Sequence, residues 1–398
     1  MSRSNKLFIA NPFWILFGIY FFANAYSLMV ALTGAPLGVD SQQYVFELED
    51  VFLTSLALFF SFCFVLFIYY FSYQSARVKS VFSLGNRVGL FVLIIQLAYF
   101  IYSYMYGVNI AGVEDSVEGM VLLRILFSII QPEIIYLIAA PGLRSRWWFV
   151  INSAVYIVSS LMRGWMGGLF LIAIIFLIKK YPFEISWKRF FYVCGVIFVG
   201  VLIFPILVSV KWSIRSGEGF DNALIYLREV GYFNYMFESF GYLINRFQMF
   251  GHVALLSENS NFLFESYSAD KFIPYWMDGL PQWIWLKFSG VEIFQLNRYM
   301  VSEFFGSDNL AYSTNPGIAG WFFVLKEKSL VFLIYLLAIT VIPAIFILKF
   351  AGEKYFLYLM CFSFVYLFHG WIGAYFNMMI YLVLFVGFRK IFLQSFIK

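Results

Sequence analysis

The chain has 398 residues, 62% of them apolar and only 12% charged, with a net charge of +5. A soluble domain carries charge on about a quarter of its residues, so this composition excludes one. The cations are spread along the connections, which argues against a nucleic-acid footprint. The three cysteines, Cys63, Cys194 and Cys361, all lie in apolar runs, which argues against a disulfide framework or a zinc site.

Apolar runs recur at roughly the twenty residues that cross a bilayer as helix. No alternating barrel pattern accompanies them. The predicted fold is an all-α integral membrane protein with about ten transmembrane helices and one large loop containing amphipathic helices. Arg3 and Lys6 precede the first run, Phe13–Ala31, so it resembles a signal peptide with Ala23-Asn24-Ala25 as a cleavage mimic. The run continues past that point and is read as a retained helix. The next spans are Val51–Phe71, Val88–Tyr106, Met120–Ala140, Trp147–Leu161, Trp165–Ile178 and Phe190–Val210. Trp147–Leu161 and Trp165–Ile178 are short and form a tight hairpin around Arg163. The last spans are Ser329–Leu348, Tyr355–Phe368 and Ala374–Phe388. The chain thus divides into N-terminal transmembrane helices (1–210), a large loop (211–328) and C-terminal transmembrane helices (329–398).

Charge sets the orientation. One set of loops holds Arg3, Lys6, Arg77, Lys79, Arg87, Arg144, Arg146, Lys179, Lys180, Lys188, Arg189, Lys349, Lys354 and the C-terminal cations, with only Glu184 and Glu353 as acids. The opposite set holds Asp40, Glu47, Glu49, Asp50, Glu114, Asp115, Glu118 and most acids of the long loop. Both termini are therefore expected in the cytoplasm and the long loop outside, in the periplasm of a Gram-negative host, with the chain in the inner membrane. No internal repeat is evident, which weakens a transporter built from paired repeats.

Charges inside spans are functional candidates by default. Arg124 and Glu133 lie nine residues apart in the fourth span, on opposite faces of an ideal helix, and are not expected to pair. Arg163 stands at the outer tip of the tight hairpin. Gly164 and Gly168 follow it and would let helices approach closely. Held at the leaflet boundary, Arg163 suits a lipid-linked phosphate; the alternative is snorkelling to ordinary headgroups. Arg215 in Lys211-Trp212-Ser213-Ile214-Arg215 has similar standing. Arg298 is weaker, with Glu292 and Glu303 as available partners.

In the long loop, Ala223–Leu256 reads as helix, with an apolar stripe at Phe233, Phe237, Phe240, Ile244 and Phe247. Beside it, Arg228, Tyr232, Tyr235, Ser239, Tyr242 and Arg246 follow at steps of four and three and share a second face. Tyrosine rings stack on sugars and arginine forks bind phosphate, so this stripe suits a glycan with a phosphate at one end. The competing reading is an aromatic lining of the membrane interface. Gly231, Gly241 and Gly251 are candidate helix breaks.

His252 is one of two histidines and a candidate general base; a surface histidine without a role is the alternative. The other, His369, lies at the outer end of a span and reads as interfacial. Phe272–Phe288, with Trp276, Trp283 and Trp285, is expected in the headgroup layer. A turn cluster, Tyr312-Ser313-Thr314-Asn315-Pro316-Gly317, precedes the short apolar patch Ile318–Leu325, expected along the outer leaflet. No P-loop is present, and in the first outer loop Asp40, Glu47, Glu49 and Asp50 show no metal-like spacing and read as a solvated acidic loop.

The span plan, the dominant outer loop, Met162-Arg163-Gly164 before an apolar helix ending in Lys179-Lys180, and Ser313-Thr314-Asn315-Pro316-Gly317 before the late spans resemble bacterial O-antigen polymerases of the Wzy type. The related O-antigen ligases share the plan, and a polysaccharide flippase or transporter is a third reading. The resemblance implies a metal-independent glycosyltransferase without cofactor that joins undecaprenyl-pyrophosphate-linked oligosaccharides. The growing chain would pass to the non-reducing end of a new lipid-linked unit. Arg163, Arg215, Arg246 and Arg298 would hold pyrophosphate, His252 would accept the proton with Arg246 beside it, and Tyr232, Tyr235, Tyr242 and Tyr312 would line the glycan path. Membrane lipids, a chain-length regulator and a flippase are the implied partners.

Overall fold

A computed structural model describes residues 6–40, 42–75, 83–108, 110, 120–216, 225, 227–290, 293–306 and 314–388. These are overwhelmingly helical. Six stretches are long and apolar enough to cross a membrane: Pro12–Leu32, Leu48–Ser75, Asn86–Tyr106, Val121–Gly142, Trp187–Arg215 and Gly317–Ala351. The protein therefore has the character of a multi-pass membrane protein. Helices Arg146–Met162, Gly167–Lys180 and Ile372–Phe388 occupy further predicted spans but are shorter.

The chain forms two compact units, one of Met1–Ile15 with Phe82–Leu243, the other of Leu16–Val81 with Ile244–Lys398. The long polar segment from 211 to 328 contributes to both.

In the first unit the strand Lys6–Ala10 pairs antiparallel with Phe183–Ser186. Helices Asn86–Tyr106 and Arg146–Met162 pack through a buried amide pair. Gln96 Nε2 donates to Asn152 Oδ1 at 2.7 Å, and Asn152 Nδ2 donates to Gly89 O at 3.1 Å. Gly168 permits the tight hairpin: a Cβ there would sit 2.7 Å from Ser160 Oγ. The predicted span over Met120–Ala140 is broken. Helix Val121–Ile130 stops at Gln131, whose φ is +45°, and a new helix starts with Pro132. A residue before proline is pushed out of the α region, which accounts for the break.

Helix Tyr232–Phe247 follows Gly231, whose φ of +86° makes the turn. Gly241 does not interrupt it. Its two stripes are real, but inverted relative to a helix in water. Tyr235 is 6% exposed and Ser239 is buried, while Phe233 and Phe237 are 68% and 70% exposed. Tyr235 packs with Val208 and Leu227, flanked by Phe204, Ile206 and Tyr242. A helix that hides its hydroxylated face and presents phenylalanine is built for an apolar surrounding.

In the second unit the core is aromatic. Tyr20, Phe62, Phe364 and Phe368 contact one another through ring pairs at 4.7–5.5 Å. Gly317–Leu325, expected along the leaflet, is instead a buried helix, packed against Leu48–Ser75, Phe250–Glu258 and Ser260–Ser268. Gly320 allows it to rest on Leu256. Of the segment expected in the headgroup layer, Phe272, Ile273 and Tyr275 are buried, Tyr275 against Trp321 and Phe332, while Trp276, Trp285 and Phe288 are exposed.

The helix predicted to run to Leu256 ends at Phe247, and Phe250–Glu258 starts anew. Asn24, buried in the first span, repairs this break. Its Nδ2 donates to Phe247 O at 3.2 Å and its Oδ1 accepts from Met249 N at 2.8 Å. Gln248 Oε1 accepts from Gly251 N at 2.9 Å. Replacing Asn24 by leucine leaves a buried carbonyl and a buried N–H unpaired, each costing about 1–3 kcal/mol. Asn24→Leu should lower the unfolding temperature in detergent by several degrees, whereas Asn24→Asp, which retains the acceptor, should lower it less.

Candidate functional site

The site in the second unit grows from the helix break. The strands Leu37–Val39 and Gln42–Tyr44 form a hairpin whose turn begins at Asp40, with φ +51°, a left-handed geometry that aspartate tolerates. The hairpin docks on the break. Gln248 Nε2 donates to Gly38 O at 3.4 Å, and a Cβ on Gly251 would meet Val39 Cγ2 at 2.7 Å. Glycine at 251 therefore serves close approach rather than ending the helix.

This docking delivers the Asp40 carboxylate to His252. Asp40 Oδ2 lies 3.1 Å from His252 Nε2 and also accepts from the Thr314 hydroxyl. Burial by itself would raise the carboxyl above its usual range. The hydrogen bond and charge of His252, the Thr314 hydroxyl and the positive charge of Arg246 outweigh that and hold it below. A carboxylate only accepts, so Nε2 carries the proton. His252 is 2% exposed, and its Nδ1 is buried with no hydrogen-bond partner among the described residues. An imidazole oriented through one nitrogen, with the other unengaged, is the arrangement of a positioned proton acceptor.

Arg246, at the end of its helix, is half-buried and its charge reaches Asp40. Its carbonyl faces His369, which is buried rather than interfacial: Nε2 lies 3.0 Å from Arg246 O, and Nδ1 lies 3.2 Å from the Tyr20 hydroxyl. Arg298, on helix Leu296–Phe305, acts on a different carboxylate. Its charge favours ionised Asp278, which accepts from Gly373 N at 2.7 Å and from Gln295 Nε2. Burial nevertheless pushes the Asp278 carboxyl up. Tyr312 lies outside the described residues.

In the first unit Arg163 does not stand open at a leaflet boundary. It is 6% exposed, donates through Nε to Ser159 O at 3.1 Å, pairs with Glu133, and lies over the Tyr99 ring at 5.4 Å. Glu133 comes from the helix begun at Pro132, so the break that separates it from Arg124 aims it at Arg163. Arg215 lies against Gly164, whose Cβ would be 3.2 Å from Arg215 Cγ, and its guanidinium sits 5.5 Å from the Trp212 ring. Buried Lys211 donates to the Tyr242 hydroxyl and lies 4.3 Å from the Trp212 ring centre. Tyr232 donates to Leu202 O. Tyr232, Tyr235 and Tyr242 thus all face the first unit's own helices.

Sequence reasoning did not identify Asp40, Thr314, Lys211 or the pairing of Glu133 with Arg163. Asp40 was visible only as one acid in a solvated loop. No group of metal-ligating side chains occurs among the described residues. No protein-family model, no curated protein and no solved structure matches the chain.

Glu133→Ala should destabilise the protein by about 3–5 kcal/mol, because it leaves a buried guanidinium uncompensated. Replacing both Glu133 and Arg163 by leucine should cost less, read as a smaller fall in unfolding temperature. Asp40 has a lowered folded pKa, so its contribution is complete above the unfolded value of about 3.9 and is lost as pH falls through the folded value. The part of the stability difference between the parent protein and Asp40→Asn that comes from the ionised carboxylate should therefore shrink as pH falls below about 4.

Proposed function

We propose that the protein is an O-antigen polymerase, joining undecaprenyl-pyrophosphate-linked oligosaccharide units at the periplasmic face of the inner membrane. The observation that carries this reading is the His252–Asp40 pair beside Arg246, with the imidazole's second nitrogen buried and unengaged.

The proposed topology is supported by which segments touch. Within the first unit, Lys6–Ala10 pairs with Phe183–Ser186, and Lys179 donates to Leu143 O. Those segments belong to the cation-rich set. Within the second unit, Asp40 meets His252 and Thr314, and Ser257 donates to Asp50 at 2.7 Å. Those belong to the acid-rich set. Loops assigned to one side thus find partners assigned to the same side, as ten spans with cytoplasmic termini require.

In the reaction, a sugar hydroxyl of the new lipid-linked unit attacks the anomeric carbon of the growing chain. The carbon–oxygen bond to undecaprenyl pyrophosphate breaks as the new glycosidic bond forms. The hydroxyl proton passes to His252 Nδ1, and Asp40 stabilises the imidazolium that results. Negative charge develops on the departing pyrophosphate, and Arg246 is the cation beside the dyad to stabilise it. Arg298, in the same unit, is a further candidate pyrophosphate ligand in this reading. In this reading the exposed phenylalanines of Tyr232–Phe247 face lipid.

A strain lacking the protein should make lipopolysaccharide with a single repeat unit. A normal ladder rejects the reading, and polymer stranded on the carrier with bare lipid A-core assigns the ligase instead. His252→Ala should slow chain extension by about 100-fold or more at unchanged protein level. Arg246→Ala should cost ~2–4 kcal/mol in the transition state, as loss of an oxyanion donor does.

A further inference from the structure

His369, Gly370 and Trp371 follow a π-helical turn, Ser363–Phe368, and precede helix Ile372–Phe388. A π-turn inside a helical run widens the backbone and often accompanies a functional element. Here it turns three consecutive residues toward the two segments whose side chains meet at Asp40.

The first segment is the end of Tyr232–Phe247. His369 Nε2 lies 3.0 Å from Arg246 O, and a carbonyl only accepts, so Nε2 carries a proton and donates. His369 Nδ1 lies 3.2 Å from both the Tyr20 hydroxyl and Phe364 O, and Trp371 stacks on the ring at 5.4 Å with 25° between planes. The second segment is Thr314–Gly317. Trp371 Nε1 donates to Thr314 O at 3.4 Å, and His369 O accepts from Gly317 N at 2.9 Å. Gly370, with φ +82°, lets the backbones touch: a Cβ there would be 2.7 Å from Gly317 N and 2.9 Å from Pro316 Cγ. The charged groups that face Asp40 and His369 from these segments are Arg246 and His252.

We infer that His369 and Trp371 are positioning residues that set His252 and Thr314 on Asp40 by clamping the backbones of Arg246 and Thr314. His369 fixes the chain that enters the His252 helix six residues before His252 itself. Trp371 fixes the carbonyl of the residue whose hydroxyl shares Asp40 Oδ2 with His252. Neither side chain touches the reacting groups. The clamp deepens the polymerase reading, and rests on it for its catalytic meaning, but its structural consequence is measurable without turnover.

The chain has only two histidines, so a His369 variant leaves His252 as the single imidazole. The experiment is NMR titration of histidine-labelled protein in nanodiscs, together with chain extension from purified carrier-linked oligosaccharide. In His369→Gln, the side-chain amide still donates to Arg246 O, and the His252 signals should keep the tautomer and midpoint of the parent protein. In His369→Leu the donor is lost, and the His252 ring-nitrogen signals should move away from those of the parent protein as its contact with Asp40 loosens. Extension should fall about 10–100-fold, mainly in kcat, the scale set by misplacing a reacting group by about an ångström. Trp371→Phe keeps the ring and removes one N–H, so it reports on the clamp if His369→Leu fails to fold. Its His252 signals should move in the same direction. Unchanged His252 signals in Trp371→Phe and in any folded His369→Leu overturn the clamp, whatever the activity. Absence of extension by the parent protein overturns the polymerase reading and leaves the clamp to be judged by the titration alone.

Discussion

A charged group withdrawn from water must find its partners within the protein, and in the second unit that demand falls on Asp40. Its carboxylate is met by His252 and Thr314, from two distant parts of the chain, and lies within reach of the Arg246 charge. Each could be delivered only if the backbone around it was shaped first. The left-handed turn at Asp40, the helix break after Phe247 and the π-turn before His369 are all departures from regular structure. Each leaves main-chain groups that need partners. Asn24, Gln248 and His369 supply them, so the polar repairs of the backbone and the polar site are one network. Such a network is worth more when complete than its pairs suggest, because a single missing member leaves a buried group bare.

The same accounting explains the first unit. Pro132 interrupts the fourth span, and the helix that restarts there carries Glu133 to Arg163 at the end of Arg146–Met162. A lone guanidinium at that depth would be costly, and the carboxylate offsets it. Lys211 and Arg215 are accommodated differently, on the faces of Trp212 and Tyr242, where ring quadrupoles stabilise cations in poorly hydrated surroundings. Of the tyrosines of Tyr232–Phe247, Tyr242 meets Lys211 and Tyr232 donates to Leu202 O, because their hydroxyls need partners, while Phe233 and Phe237 are exposed.

For the proposed chemistry, the useful property of the second-unit network is that it leaves an imidazole nitrogen beside Asp40 open: among the described residues His252 Nδ1 is buried without a hydrogen-bond partner. An oriented base in a poorly hydrated place loses little by reorganisation when it takes a proton, and the Asp40 charge favours the resulting cation more strongly there than it would in water.

The sequence by itself determined the class of protein and its predominantly helical character. Runs of about twenty apolar residues leave no alternative to helix in a bilayer, because every backbone group must be satisfied within its own segment. The helix over Tyr232–Phe247 and the tight hairpin at Arg163 were equally legible, since they depend on local spacing. Which face was buried was not, because that depends on whether the neighbour is lipid, water or another helix. Nor was the partner of Arg163, since a proline break thirty residues away redirects Glu133. Asp40 lies 212 positions from His252, and Thr314 lies 274 from Asp40. No period or motif links residues so far apart. Only the tertiary structure brings them together, because the cost of burying one carboxylate is met by whichever donors the packed helices place around it.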